Sequence, residues 1–210
     1  MPRPVDGSGI PHHCQSCAKG PPDRLINRRT LLKSFFGMSF SFPLAGLLMG
    51  ATEDPKRARP QIGDILVFSS GDRQGQPLVA SDVPLGGPPV TAYPLEPKTQ
   101  TVRDGSRLNR ILLVRLEQDS LSDQTRSDAA DGIVGYSAVC THTGCDVAGW
   151  NNTSKWLLCP CHASTFDPKD HARVTGGPAP RPLAALPLRL ESDKIIVAGS
   201  FSGRVGAIQK

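Results

Sequence analysis

No segment of the 210-residue sequence repeats another, which excludes a solenoid or a propeller built from repeated units. The formal net charge is +5, but much of the positive charge lies near the N-terminus, on both sides of an uncharged run. Binding of nucleic acid is therefore not predicted, because it needs a basic face on a folded domain. The 21 glycines and 20 prolines predict many turns and argue against a helical bundle.

A run without any charged side chain extends from Ser34 to Thr52. As a helix, these 19 residues would rise about 28 Å, close to the thickness of the hydrocarbon core of a bilayer. A buried helix of a soluble core is the alternative, but the basic flank that ends at Lys33 and the N-terminal position favour a membrane segment. We predict one N-terminal transmembrane helix, a signal anchor over residues 34–52, after a disordered cytoplasmic leader over residues 1–33.

Beyond this run the sequence predicts an all-β domain over residues 62–210, connected by a charged, proline-containing linker over residues 53–61. Short segments rich in aliphatic, β-branched and aromatic residues alternate with turn residues, a pattern typical of small stacked sheets. Such segments are "GDILVFSS" (63–70), 109–117, 133–140, 155–159, 183–191 and 194–199. Residues 71–109 hold many glycines and prolines and are predicted to form long loops.

Four cysteines and two histidines lie in two short segments, "CTHTGC" from Cys140 to Cys145 and "CPCHAS" from Cys159 to Ser164. Two cysteines and two histidines can form a tetrahedral zinc site. They can equally hold a 2Fe–2S cluster, with two thiolates on one iron and two imidazoles on the other. A zinc finger usually pairs Cys with Cys and His with His. Here each segment carries both residue types, so the spacing favours the cluster.

The pattern "CTHTGC…CPCHAS" resembles the two cluster-binding loops of the Rieske iron–sulfur protein family, and "GPAP" at residues 177–180 resembles the family's third loop. The resemblance implies one Rieske-type 2Fe–2S cluster in a head of small stacked antiparallel sheets with cluster-binding loops. It also implies roles for seven residues. Cys140 and Cys159 would be ligands of one iron, and His142 and His162 would be ligands of the other and the site of proton-coupled electron transfer. Cys145 and Cys161 would form a disulfide, and Ser164 would donate a hydrogen bond to a bridging sulfide.

Two residues depart from the family pattern. Phe166 stands where high-potential members often have a tyrosine that donates a hydrogen bond to a ligand sulfur. The absence of this donor predicts a lower reduction potential than that of tyrosine-bearing relatives. Thr143 replaces the leucine that is common in quinol-oxidising members, at a position where the resemblance places the docking surface.

The resemblance implies an electron-transfer subunit of an oxidoreductase complex. The leading hypothesis is the Rieske subunit of a cytochrome bc-type complex, which takes electrons from quinol and has cytochrome b and c-type cytochrome subunits as partners. The alternative is the small Rieske subunit of a periplasmic molybdenum oxidase, similar to arsenite oxidase, with a molybdopterin subunit as partner. A component of a Rieske oxygenase is less favoured, because that enzyme needs a further domain with a mononuclear iron site.

The segment "NRRTLLK" resembles the twin-arginine export signal, with Arg28 and Arg29 as the recognised pair. This predicts that the twin-arginine translocase moves a folded, cluster-bearing head into the periplasm of a bacterium, with the anchor in the inner membrane. The cysteines Cys14 and Cys17 lie in the leader and are interpreted as reduced cytosolic thiols.

Overall fold

Twelve β-strands and one short α-helix form the regular structure of residues 54–208, the part of the chain that the computed structural model describes. The predicted leader, anchor and arginine pair lie outside the described residues. Within residues 54–208, no helix has both the length and the apolar character needed to cross a membrane. Strands β1 to β12 are Ile65–Phe68, Val90–Glu96, Thr101–Val102, Ile111–Arg115, Ile133–Ser137, Gly149–Asn151, Trp156–Cys159, Ser164–Asp167, Arg173–Gly176, Ala185–Leu186, Leu188–Glu191 and Lys194–Val197, and helix α1 is Asp123–Asp128.

The larger sheet is antiparallel and follows the order β10-β5-β4-β2-β1-β12-β11, with β3 paired to β2. Its two end strands, β10 and β11, are consecutive along the chain and are separated only by Pro187. The sheet therefore closes on itself, and no long edge remains open to solvent. Buried aliphatic side chains fill the interior, among them Leu66, Ile111, Leu113, Ile133, Leu186 and Ile195.

The smaller sheet has the order β6-β7-β8-β9, and a second core lies between it and the larger sheet. Strand β4 contributes to both cores, because Ile111 points into the closed sheet and its neighbour Leu112 packs in the second core. Strand β5 does the same through Ile133 and Val134. These two strands are thus buried on both faces, which explains their continuous apolar sequences.

The all-β prediction is confirmed, but the prediction of long loops over residues 71–109 is wrong at strands β2 and β3. Strand β2, at Val90–Glu96, lies inside the closed sheet and pairs with β1 on one side and β4 on the other. It was hidden by its flanking glycines and prolines and by Pro94 within it. Helix α1 lies in the polar segment between β4 and β5.

The chain that enters the head is hydrogen-bonded to it from residue 55 onward. The carbonyl of Lys56 accepts a bond from the Gly105 N–H (2.9 Å), and the carbonyl of Ala58 accepts one from Asn109 Nδ2 (2.7 Å). Much of the segment predicted as a linker is therefore held against the larger sheet.

A buried ion-pair cluster holds the start of the head together. Arg103, which is 4% exposed, donates to both carboxylate oxygens of Asp64, at 2.7 and 3.2 Å, and Asp64 is 1% exposed. It also donates to Glu96 at 3.0 Å. Hydrogen bonding to Asp64 is the main reason that the pKa of Arg103 is raised above its ordinary value.

Candidate metal centre

The first loop, residues 140–145, follows β5 and forms a tight turn. The Cys140 N–H donates to the Cys145 carbonyl (2.8 Å), and the Gly144 N–H donates to the Cys140 carbonyl (3.1 Å). Gly144 has a φ of +83°, a conformation that other residues rarely adopt. The turn leaves Cys140 buried, His142 half-buried and Thr143 exposed.

The second loop, residues 159–164, connects the hairpin strands β7 and β8. Cys159 is the last residue of β7 and pairs directly with Ser164, the first residue of β8. Both are buried, whereas Cys161 and His162 in the turn between them are exposed. The turn that begins at Pro160 thus separates the two cysteines of "CPC".

A disulfide joins the two loops. Cys145 and Cys161 are bonded to each other, with their Cα atoms 6.5 Å apart. The Sγ atom of Cys159 lies within 4.8 Å of both disulfide sulfurs. Because sulfurs in a disulfide cannot act as thiolate ligands, these three cysteines do not form a metal site of their own. The expected Cys145–Cys161 pairing is present.

Two thiols and two imidazoles remain available in the paired loops. Cys140 and Cys159 are free and buried, and the rings of His142 and His162 meet edge to face, with centroids 4.6 Å apart. Nδ1 of His142 is buried and has no hydrogen-bond partner among the described residues. A buried imidazole nitrogen without a partner is costly unless it binds a ligand. This donor set of two soft thiols and two imidazoles fits a 2Fe–2S cluster of the histidine-ligated type.

The Cys140 thiol has a raised pKa. Burial is the main cause, the neighbouring Cys159 thiol adds to the effect, and the His142 N–H and the Ser164 hydroxyl oppose it. A thiolate at the buried Cys140 would be poorly solvated, so the free residue favours the protonated form. Cluster binding by these residues would therefore release protons.

A third loop, residues 177–180, packs against Ser164 of the second loop. Ser164 Oγ accepts a bond from the Ala179 N–H (3.2 Å), which leaves the hydroxyl hydrogen free to donate. A Cβ atom at Gly177 would lie 2.5 Å from the Ser164 Cα, so only glycine allows this close approach. The sequence pattern placed "GPAP" in the site but did not reveal that it is attached through Ser164.

One contact in the site had no sequence signal. Thr141, 1% exposed, lies between Cys140 and His142 and donates from Oγ1 to the Arg181 carbonyl (2.7 Å). The bond spans 40 residues and fastens the first loop to the chain that follows the third loop. A threonine inside a metal-ligand motif resembles any other spacer until the fold shows its partner.

Comparison with known proteins matches residues 97–187 to the Rieske [2Fe-2S] domain. The chain is 36% identical over 170 residues to a putative respiratory nitrate reductase subunit Rieske of Haloferax mediterranei, covering 80% of this chain and 71% of that protein. The chain belongs to the Rieske family. It is also 32% identical over 199 residues to the cytochrome bc1 complex Rieske iron-sulfur subunit of Streptomyces coelicolor, covering 90% of this chain and 55% of that relative.

Membership of the Rieske family decides between zinc and iron, because the Rieske domain binds a 2Fe–2S cluster. Among solved structures, the Rieske head is similar to the soluble domain of the Rieske protein II (soxF) from Sulfolobus acidocaldarius. The identity is 25%, the TM-score is 0.36, and the match covers 46% of this chain and 66% of that chain. The family assignment rests on the sequence relatives.

Removal of the disulfide from the Rieske head should destabilise the paired loops. The bond spans 16 residues, and closing a loop of this size is worth about 3 kcal/mol in the chain-entropy model. We expect the double variant Cys145→Ser/Cys161→Ser to melt at a lower temperature and to lose iron faster during dialysis. Thermal denaturation followed by circular dichroism measures the change, and wild type treated with reductant provides an independent way to break the bond. If neither the double variant nor the reduced wild type melts at a lower temperature than untreated wild type, the disulfide does not stabilise the loops.

A hydroxyl at position 166 should raise the reduction potential of the Rieske head. Phe166 is fully buried and packs in the same core as Cys140 and Cys159. A tyrosine there would add a hydrogen-bond donor to the core that contains the two proposed thiolate ligands. A bond worth about 1 kcal/mol more in the reduced state shifts a one-electron potential by about 40 mV. Protein-film voltammetry of Phe166→Tyr measures the shift, and a potential equal to or below that of wild type counts against the idea.

Proposed function

We propose that the chain is the electron-transfer subunit of a membrane respiratory complex that takes electrons from quinol and passes them to a c-type cytochrome. Cytochrome b and c-type cytochrome subunits would be its partners. The observation that carries the proposal is the contrast in exposure within the site. His162 is exposed beside half-buried His142, whereas Cys140 and Cys159 are buried.

This contrast suits a protein that exchanges electrons with a partner at its surface. In the proposed assignment, Cys140 and Cys159 hold the cluster on the buried side, and His142 and His162 hold it on the solvent side. A bound 2Fe–2S cluster supplies the one-electron chemistry. With Nδ1 of His142 used as a ligand, its Nε2 is the nitrogen that carries the exchangeable proton. Once deprotonated, Nε2 can accept a hydrogen bond from a quinol hydroxyl and take up its proton.

The names of relatives support this assignment. The Streptomyces coelicolor relative and a Streptomyces lividans relative, 36% identical over 135 residues, are both named as subunits of the cytochrome bc1 complex. These names describe the relatives, and the same complex is proposed for this chain.

A second candidate is the small Rieske subunit of a periplasmic molybdenum enzyme. The Haloferax mediterranei relative is named as a putative subunit of a respiratory nitrate reductase, a complex other than cytochrome bc1. Thr143 also favours the second candidate, because an exposed threonine replaces the apolar leucine of quinol-oxidising members.

Purification of the tagged full chain from its native membranes separates the two candidates. Haem b and haem c spectra in the purified complex, with a cluster that a soluble quinol analogue reduces, are expected. Molybdenum in the complex without haem b would favour the second candidate. A cluster that quinol does not reduce in either complex would overturn the leading proposal.

We further propose that Arg28 and Arg29 direct export through the twin-arginine translocase, and that residues 34–52 anchor the chain in a bacterial inner membrane with its head in the periplasm. A folded head with its cofactor cannot pass through a route that threads unfolded chain. Changing both arginines to lysine should leave the protein in the cytoplasm. Arg24→Lys, a control outside the pair, should not. Protease protection in spheroplasts measures the difference, and normal export of the double-lysine variant would refute the signal.

A further inference from the structure

A basic groove of about 640 Å³ lies beside the first loop. Thr143 and Gly144 of that loop form part of its lining. The remaining lining comes from three other parts of the chain and includes four arginines, Arg57, Arg59, Arg107 and Arg204, but no acidic residue of the described chain. We refer to it as the arginine groove.

Most of the charge in the arginine groove is not neutralised. Arg107 pairs with Asp146 at 2.9 Å. Within residues 54–208, the other three arginines form no ion pair, and all are exposed. Arg57 donates from Nε to the Gly105 carbonyl at 3.3 Å. Since a guanidinium has five N–H donors, most of them remain free for a ligand.

The walls of the groove are held in place by hydrogen bonds within the head. The backbone that carries Arg57 and Arg59 is fixed through the carbonyls of Lys56 and Ala58, as described above. On the opposite wall, the Arg181 guanidinium donates to the carbonyls of Arg204 and Gly206. A partner would therefore meet positive charges that are already positioned, at a low cost in ordering.

The groove is also connected to the cluster loops. The Arg107 guanidinium donates to the Gly144 carbonyl, next to Cys145 of the interloop disulfide and two residues from His142. A molecule bound in the groove thus lies against the loop that carries a proposed iron ligand. A redox partner needs this proximity, because it must approach the cluster closely.

We propose that the arginine groove binds an acidic polypeptide segment of the redox partner and thereby positions that partner beside the first loop. Arginine pairs with carboxylates through two parallel hydrogen bonds, and unpaired surface charge speeds the encounter with a partner of opposite sign. The groove is concave, so a polypeptide segment can fit into it, whereas a flat membrane surface cannot. The inference rests on the proposed electron-transfer function and specifies the chemistry of the partner.

Calorimetric titration of the cluster-loaded full chain in detergent with a hexaglutamate peptide tests the groove. We expect Arg57→Glu/Arg204→Glu to bind the peptide about tenfold more weakly than wild type at low salt, and wild-type binding to weaken at about 0.5 M salt. Lys98→Glu/Lys194→Glu makes the same change of charge at exposed positions outside the groove, and it should bind like wild type.

Equal weakening in both double variants would overturn the proposal, because it would reflect overall charge alone. No binding to wild type would also overturn it. The proposal would also be overturned if the groove bound vesicles containing one quarter phosphatidylglycerol but did not bind the peptide. That result would show that the groove recognises a membrane surface. Reduction of the cluster by the quinol analogue, measured on the same samples, reports on the proposed function separately, since quinol carries no charge for the groove to attract.

Discussion

Replacing His162 by alanine should abolish the electron paramagnetic resonance signal of a histidine-ligated cluster, which has a mean g value below 2. His162 lies in the exposed turn of the second loop, with its ring 4.6 Å from that of His142. In the proposed ligand assignment, its removal would leave the cluster site with one imidazole in place of two. The reduced protein should therefore show no Rieske-type spectrum, and iron analysis should show partial or complete loss of the metal.

The matched control for this substitution is His171→Ala. His171 is a half-buried histidine whose Nε2 lies 3.4 Å from Asp128, and its N–H donates to Thr125 Oγ1. It belongs to neither loop, so its removal should leave the spectrum intact. His162→Cys adds a second measurement, because three thiolates and one imidazole should lower the potential below that of wild type, in the direction of the about −400 mV of all-thiolate clusters. A wild-type spectrum in His162→Ala would remove His162 from the ligand set.

Replacing Arg103 by leucine should cost about 3–5 kcal/mol of the free energy of unfolding. The substitution leaves the buried Asp64 carboxylate without its two guanidinium hydrogen bonds. A buried charge without a partner is far more costly than the loss of the pair as a whole. Urea denaturation of the full chain in detergent measures the change.

Two further variants distinguish the effect of a buried ion pair on stability from that of an exposed one. Arg73 contacts Asp82 through two hydrogen bonds, at 2.5 and 3.1 Å, but its side chain is 48% exposed. Arg73→Leu should therefore lower the free energy of unfolding far less than Arg103→Leu does. The double variant Arg103→Leu/Asp64→Leu removes both buried charges and should recover much of the stability. If Arg103→Leu and Arg73→Leu are equally mild, the buried cluster does not stabilise the fold.

The cluster loops and several strands of this head could be predicted from the sequence, because the residues that define each of them are close together along the chain. The two loops span fewer than 30 residues, and the types and spacing of their cysteines and histidines restrict the possible chemistry. Strands β4 and β5 consist mainly of aliphatic and aromatic residues, so they were found. Strand β2 was missed because its sequence contains Pro94, a residue that strands usually exclude, and tertiary pairing overrides that preference here.

Long-range polar contacts could not be predicted in the same way. Arg103 and Asp64 are 39 residues apart, and Thr141 and the Arg181 carbonyl are 40 apart. Nothing in the local sequence of either pair indicates its partner. The arginine groove is a further example, since its four arginines come from three distant segments that only the closed sheet brings together.

Strands β4 and β5 have no solvent-facing side, because their residues alternate between the two cores. Tyr136 of β5 strengthens the connection by donating from its hydroxyl to the Pro168 carbonyl (2.9 Å), in the turn after β8. The amide hydrogens of these strands should exchange with deuterium only when the whole head unfolds. The lobe that bears the cluster loops and the closed sheet beneath it therefore form one cooperative unit, and neither should melt while the other persists.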